Sequence, residues 1–202
     1  MQEELRIKWK TMMKETLHQA VVKVLTEDGI QGLTMDRIAQ AAGVSKGTLY
    51  IYFQDKQELM QYVVQSSLEP LEQEYEKLFA SDLPPPAKLE AFARGSLGYF
   101  DKHRDFFRVL QDPELSGPRM HPERKNRHRR LITNVSGVFE DGIKGGFFRP
   151  GPPMKLAAMF VMSCGAITME RLWKEDRGPI EEDVKLVIET FYKGISKGGR
   201  RK

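Results

Sequence analysis

The sequence predicts an all-α protein in two parts, an N-terminal three-helix head and a larger helical body, with about nine helices in all. Three features point to this. Apolar residues recur at three- and four-residue spacing along most of the chain, and no segment shows the alternation of a strand. Glycine and proline clusters separate these stretches at Gly29, Gly43, 82–86, 116–118, 145–146 and 150–153. One short stretch, residues 34–59 (TMDRIAQAAGVSKGTLYIYFQDKQEL), holds two helix starts, a glycine turn and the start of a third helix in close succession. The chain has 202 residues, 40% hydrophobic and 30% charged, which suffices for a packed core and excludes global disorder.

Taken in order, residues 1–10 read as an irregular arm. The first helix starts at about 7 or 10 and runs to 28, with Met13, Leu17, Ala20, Val21, Val24 and Leu25 as its stripe and Gly29 ending it. Leu33 closes onto that stripe. Thr34 is suited to cap the next helix, because its hydroxyl can accept a backbone N–H two or three residues on. Ile38, Ala39 and Ala42 share a face of that helix, and Ala39 is small where another helix must cross. Gly43 stands where the chain must turn. Ser45 caps a second short helix whose Leu49 and Phe53, four apart, face inward. Asp55 caps a third helix, with Glu58 at the capping-box position. That helix keeps its period from Leu59 to about Ala80 through Pro70, which predicts a kink near Ser66 and Ser67.

In the body, Pro84-Pro85-Pro86 precede a helix with Leu89, Phe92, Ala93, Leu97 and Phe100 on one face. A short helix around Phe106, Phe107, Val109 and Leu110 is stopped by Asp112-Pro113. A helix from Pro122 to about Lys144 ends at Gly145-Gly146, which read as a helix cap because they follow a helix rather than a strand. Two more helices run from Met154 to about Lys174 and from Pro179 to about Ile195. A basic tail, 198–202, follows.

Residues 34–59 form a helix-turn-helix: a small residue, a glycine at the turn and apolar anchors on both sides. The second helix is its recognition helix. Lys46, Thr48, Tyr50 and Tyr52 are left outside, and Gly47 allows close backbone approach. These are groups that can meet base edges and phosphates. Lys56, at the next helix start, can reach a phosphate beside free backbone N–H groups.

The run LTMDRIAQAAGVSKGTLYIYFQDKQELM closely resembles the N-terminal domain of TetR-family transcriptional regulators, over about residues 8–64. The resemblance implies an all-helical homodimer that binds a palindromic operator in double-stranded DNA, usually as a repressor. It also implies a ligand-binding and dimerisation domain in the remaining two thirds. On this reading the domains are 8–56 and 57–197. The DNA-facing set is Thr34, Ser45, Lys46, Gly47, Thr48, Tyr50, Tyr52 and Lys56, with Lys46, Gly47, Thr48 and Tyr50 nearest the bases and Thr34, Tyr52 and Lys56 nearest the phosphates. The chain departs from many relatives in carrying the acidic Asp36 in the first helix of the motif.

Net charge is +4, yet residues 1–60 hold eight Lys/Arg and eight Asp/Glu, so DNA affinity must come from the placement of charges. The single cysteine, Cys164, excludes an internal disulfide and fits a reducing cytoplasm. The N-terminus lacks a signal peptide, and the longest nearly apolar run, 156–169, is too short to span a bilayer, so no membrane partner is expected. His103, His121 and His128 lack metal-ligand spacing, and nothing implies a cofactor. There is no nucleophile–base cluster, phosphate loop or spaced carboxylate pair, so the chain does not read as an enzyme. The basic run 124–130 reads as a solvated face or a site for an acidic effector.

Phe92, Phe100, Phe107, Phe139, Met162 and Trp173 recur on inner faces of the body helices and form the candidate lining of a pocket for a mainly apolar small molecule. The helix from Met154 is apolar on more than one face, so homodimerisation is expected through the last two helices. The rival reading is a helical ligand- or partner-binding protein whose head no longer reads DNA. Salt-dependent binding to promoter DNA separates the two.

Overall fold

The computed structural model describes residues 2–111 and 122–195. Among the described residues there are nine helices: α1 (Gln2–Asp28), α2 (Met35–Ala42), α3 (Lys46–Tyr52), α4 (Lys56–Ala80), α5 (Pro85–Lys102), α6 (Arg104–Val109), α7 (Pro122–Lys144), α8 (Pro153–Trp173) and α9 (Ile180–Ile195). The expected all-α architecture is observed. The stop at Asp112-Pro113, the loop 116–118, His121 and the tail 198–202 lie outside the described residues.

One expectation needs correction. Residues 2–10 are not an irregular arm but the first turns of α1. No Gly or Pro interrupts them, and Glu4 stands near the positive end of the helix dipole. Sequence periodicity missed these turns because their apolar residues Leu5, Ile7 and Trp9 are all exposed.

Contacts divide the chain into two compact units, Met1–Pro70 with Asp105–Leu115, and Leu71–Arg104 with Ser116–Lys202. The division falls at Pro70, inside α4, the helix that leaves the head and enters the body. The first turns of α4 bury Leu59, Met60 and Val63, so they belong with the head. Proline at position 70 removes one backbone N–H from the helix ladder at this junction.

The core of the first unit comes from Leu17, Val21, Val24 and Leu25 of α1, Leu33 just before α2, Ile38 and Ala39 of α2, and Leu49 and Phe53 at α3. In the second unit α7 packs along α8, and α5 packs against α7, α8 and α9. Its core is aromatic. Phe92 lies 4.7 Å from Tyr75 and 5.9 Å from Phe160 between ring centroids, and Phe139 lies 5.6 Å from Phe148 and 6.1 Å from Phe160.

Buried Arg171 of α8 ties this unit together. Its guanidinium donates to Asp101 of α5, to Asp183 of α9 and to the carbonyls of Arg177 and Gly178 in the α8–α9 connection. Arg177 adds a second bond to Asp101 at 2.6 Å. Arg104 donates to the carbonyls of Leu172 and Lys174, satisfying acceptors at the C-terminus of α8. By length and composition α8 could cross a membrane. Its inner face is instead the core of this unit, with Ala157, Phe160, Cys164 and Leu172 buried beside Arg171.

Candidate nucleic-acid interface

The turn between α2 and α3 is fixed at both ends by its own sequence. The Thr34 hydroxyl accepts the Arg37 backbone N–H at 3.2 Å. Gly43 takes the left-handed conformation at φ 68°, and the N–H groups of Gly43 and Val44 bond back to the carbonyls of Gln40 and Ala39. Ser45 then starts α3, its hydroxyl accepting the Thr48 N–H at 3.0 Å and lying 2.8 Å from the Thr48 hydroxyl. Beyond α3, Asp55 accepts the Glu58 N–H at 2.8 Å, and the Glu58 carboxylate accepts the Gln54 N–H at 2.6 Å. Loop ends capped in this way hold α3 in one orientation.

Leu49 is fully buried and Phe53 is 2% exposed, so α3 is anchored by the pair that sequence spacing selected. Lys14 of α1 supports this anchor, its ammonium 5.5 Å from the Phe53 ring centre and 5.0 Å from that of Tyr62. Ser45, Lys46, Gly47 and Tyr50 are exposed, as is Thr34; Thr48, Tyr52 and Lys56 are half-buried. A side chain added at Gly47 would meet only the Ser45 hydroxyl, at 3.7 Å. The fold therefore does not demand glycine there, and the space over it is open to an outside partner.

The structure adds one residue that sequence reasoning missed. Ile51, 78% exposed, is the most exposed large apolar side chain described. The sequence signal was present, since Ile51 is two residues past Leu49 and cannot share its buried face. An apolar side chain on a groove-reading helix is suited to the thymine methyl group.

The two cations of α2 and α3 are both paired. Lys46 Nζ lies 2.8 Å from Asp36 Oδ2, and Arg37 Nε lies 2.7 Å from Asp28 Oδ2. The hydrogen bond that Lys46 donates to Asp36 raises the pKa of its ammonium above the ordinary value.

The candidate ligand lining is only partly assembled. Phe92 and Phe139 are buried together around Phe160, and Phe100 is half-buried against Tyr99. Phe107 is buried on α6, which falls in the other compact unit. Met162 and Trp173 are 59% and 60% exposed and line no interior of this chain. Near Phe92 stands a polar pair, Tyr75 and Ser96, whose hydroxyls are 2.5 Å apart. Burial raises the pKa of the Tyr75 phenol, keeping it neutral. Burial likewise pushes the Cys164 thiol up to about 12, so it is an inert core residue. In the basic run 124–130, Arg127 pairs with Glu72 of α4 at 2.5 Å, while Lys125, His128, Arg129 and Arg130 are exposed. Among the described residues no cluster of three or more His, Cys, Asp or Glu side chains could hold a metal.

A capped helix-turn-helix on a three-helix core, followed by a long helix into an all-helical body, defines a DNA-binding transcriptional regulator. Residues 18–63 match the pattern of the bacterial regulatory proteins of the tetR family. The HTH-type transcriptional regulator YhgD of Bacillus subtilis is 25% identical over 91% of this chain and 96% of its own. The HTH-type transcriptional repressor KstR2 of Rhodococcus jostii is 26% identical over 86% of this chain and 85% of its own. Among solved structures, a TetR transcription regulator from Haloarcula marismortui superposes with a TM-score of 0.73 at 20% identity, over 91% of this chain and 96% of that one. The fatty acid degradation regulator FadR from Bacillus halodurans gives 0.70 at 17% identity, over 94% and 96%. Residues 18–63 thus carry a DNA-binding domain of the tetR type, and the chain is similar to HTH-type transcriptional regulators over most of its length.

Proposed function

We propose that the protein is a homodimeric repressor that reads a palindromic operator with α3 and is released from it by a mainly apolar small molecule. The observation that carries this reading is the outward face of α3. Lys46, Gly47 and Tyr50 stand exposed on a helix whose inner residues and both neighbouring turns are locked. In this reading Lys46, Gly47, Thr48 and Tyr50 meet base edges. Thr34, Ser45, Tyr52 and Lys56 meet the backbone, where phosphate contacts set register without carrying sequence information. The DNA-reading segment is residues 8–56, the effector-binding and dimerising segment lies within 57–197, and α4 runs from one into the other. The protein acts by binding rather than catalysis, in the cytoplasm.

The effector would occupy the aromatic interior around Phe92 and Phe139, with Phe100 at its margin. Rings at these spacings must turn to admit it, and Tyr75 with Ser96 would offer a polar end a hydrogen bond. Met162 and Trp173 serve better as a subunit interface than as pocket lining, because both are exposed on α8.

Selection of bound sequences from random duplexes tests the reading. A palindromic site should be enriched. Tyr50→Ala and Lys46→Ala should each cost about 1–3 kcal/mol on that site and leave the circular dichroism spectrum unchanged. Lys56→Ala should weaken all duplexes alike and reduce the salt slope by about one. Full affinity in Tyr50→Ala and Lys46→Ala would remove α3 from the interface.

A further inference from the structure

We propose that Asp36 is a specificity-determining residue, which holds Lys46 back from the phosphate backbone so that the head gains little from DNA whose bases α3 cannot read. The inference rests on α3 being the recognition helix. It is carried by the Lys46–Asp36 pair, 2.8 Å between Nζ and Oδ2, with side chains 49% and 71% exposed.

Sequence-independent binding comes from cations that neutralise phosphates and release counterions. A lysine already neutralised by a neighbouring carboxylate releases little. If it moves to a phosphate, it leaves Asp36 unpaired beside a polyanion, so the exchange yields almost nothing. Base recognition is treated differently. The ammonium has three donors, and the Asp36 bond uses one. The other two remain available to acceptors in the groove, and the pair narrows the directions in which they point. Arg37 and Asp28 repeat the pairing at 2.7 Å, so neither cation of α2 and α3 is left to pull on any duplex indiscriminately. This accounts for a DNA-binding head whose first sixty residues carry as many carboxylates as cations.

The test measures fluorescence anisotropy of the full-length protein on two duplexes of equal length, across a range of salt. One is the sequence the protein itself selects, and the other is a scrambled version. Asp36→Asn keeps the shape of an exposed side chain and should keep the melting temperature. It should tighten binding to the scrambled duplex by up to about tenfold at about 0.1 M salt and steepen its salt slope by about one, as one added phosphate contact would. The selected duplex should gain less, so discrimination falls. In a Lys46→Gln background, Asp36→Asn should lose most of this effect, because no ammonium remains to be released. Unchanged discrimination in Asp36→Asn overturns the proposal, as does an undiminished effect in the Lys46→Gln background, which would mark simple charge removal. If no duplex is enriched at all, the recognition-helix reading itself fails, and this inference with it.

Discussion

At the scale of single residues, α3 carries one apolar side chain in the open. Ile51 is 78% exposed on a helix that otherwise presents hydroxyls, a phenol and an ammonium. An exposed isoleucine has nothing to gain from water, whereas a thymine methyl in the major groove would give it apolar contact. Ile51→Ala should weaken the selected duplex by about 1 kcal/mol at one base pair and leave the others unaffected. Replacing that thymine by uracil should produce the same loss in the parent protein and none in the variant. Gly142 provides a stability test elsewhere. A Cβ built on it would lie 2.2 Å from ring carbons of buried Phe148. The ring cannot retreat freely, because it packs on Phe139 at 5.6 Å and on Tyr192 at 6.4 Å. Gly142→Ala should therefore cost about 1–3 kcal/mol by overpacking, read as a lower denaturation midpoint. Gly137→Ala, where nothing lies within 4 Å, should cost no stability.

At the scale of elements, α1 and α4 are joined by a contact at the proline. His18 Nε2 lies 2.8 Å from the hydroxyl of Ser67, one turn before Pro70. His18 Nδ1 is buried without a partner. Burial lowers the His18 pKa from 6.5, opposed in part by Glu15. The folded head therefore favours neutral His18, and the unfolded chain binds the extra proton first. Stability from this group is complete above pH 6.5 and is lost as pH falls through the lower folded value. His18→Gln keeps a partner for Ser67 and does not titrate, so its unfolding midpoint should fall less than the parent's between pH 7 and pH 5. An equal fall in both would take His18 out of the acid response.

Most element boundaries were legible in the sequence because caps mark them: Thr34, Gly43, Ser45 and Asp55 all perform the bonds their chemistry suggested. The start of α1 was not legible, since periodicity reports burial and Leu5, Ile7 and Trp9 are exposed. The start and the inner anchors of α3 were legible, since Ser45 caps it and Leu49 and Phe53 are buried, whereas Ile51 was passed over although its spacing from Leu49 puts it on the outer face. The body was legible as helices but not as a pocket. Phe92, Met162 and Trp173 are equally apolar, and only their neighbours decide that the first is core and the others surface. Tyr75 and Ser96 lie 21 positions apart, and nothing local links them.

At the scale of the molecule, the outer face of α8 argues for a second copy. Met154, Ala158, Met162, Ala166, Met169 and Trp173 follow one another at three- or four-residue spacing, so they form a single stripe. All but Ala158 are exposed, and Leu186 of α9 is exposed as well. The opposite side of α8 is already buried. Covering a methionine side chain is worth about 1.5–3 kcal/mol, and a two-fold contact counts each residue twice. Phe191 of α9 is a poor probe of this face, because its ring stands edge-on to Phe160 at 5.1 Å within the subunit. Met162→Glu is the informative change. It brings two like charges together across the two-fold while disturbing no buried neighbour. Sedimentation equilibrium at micromolar concentration should show the parent as a dimer and Met162→Glu as a monomer with an unchanged helical spectrum. The monomer should bind a single half-site duplex as the parent does, and lose the advantage that two linked heads have on a full palindrome. A Met162→Glu protein that remains dimeric, or that loses half-site binding as well, would place the subunit interface somewhere other than this stripe.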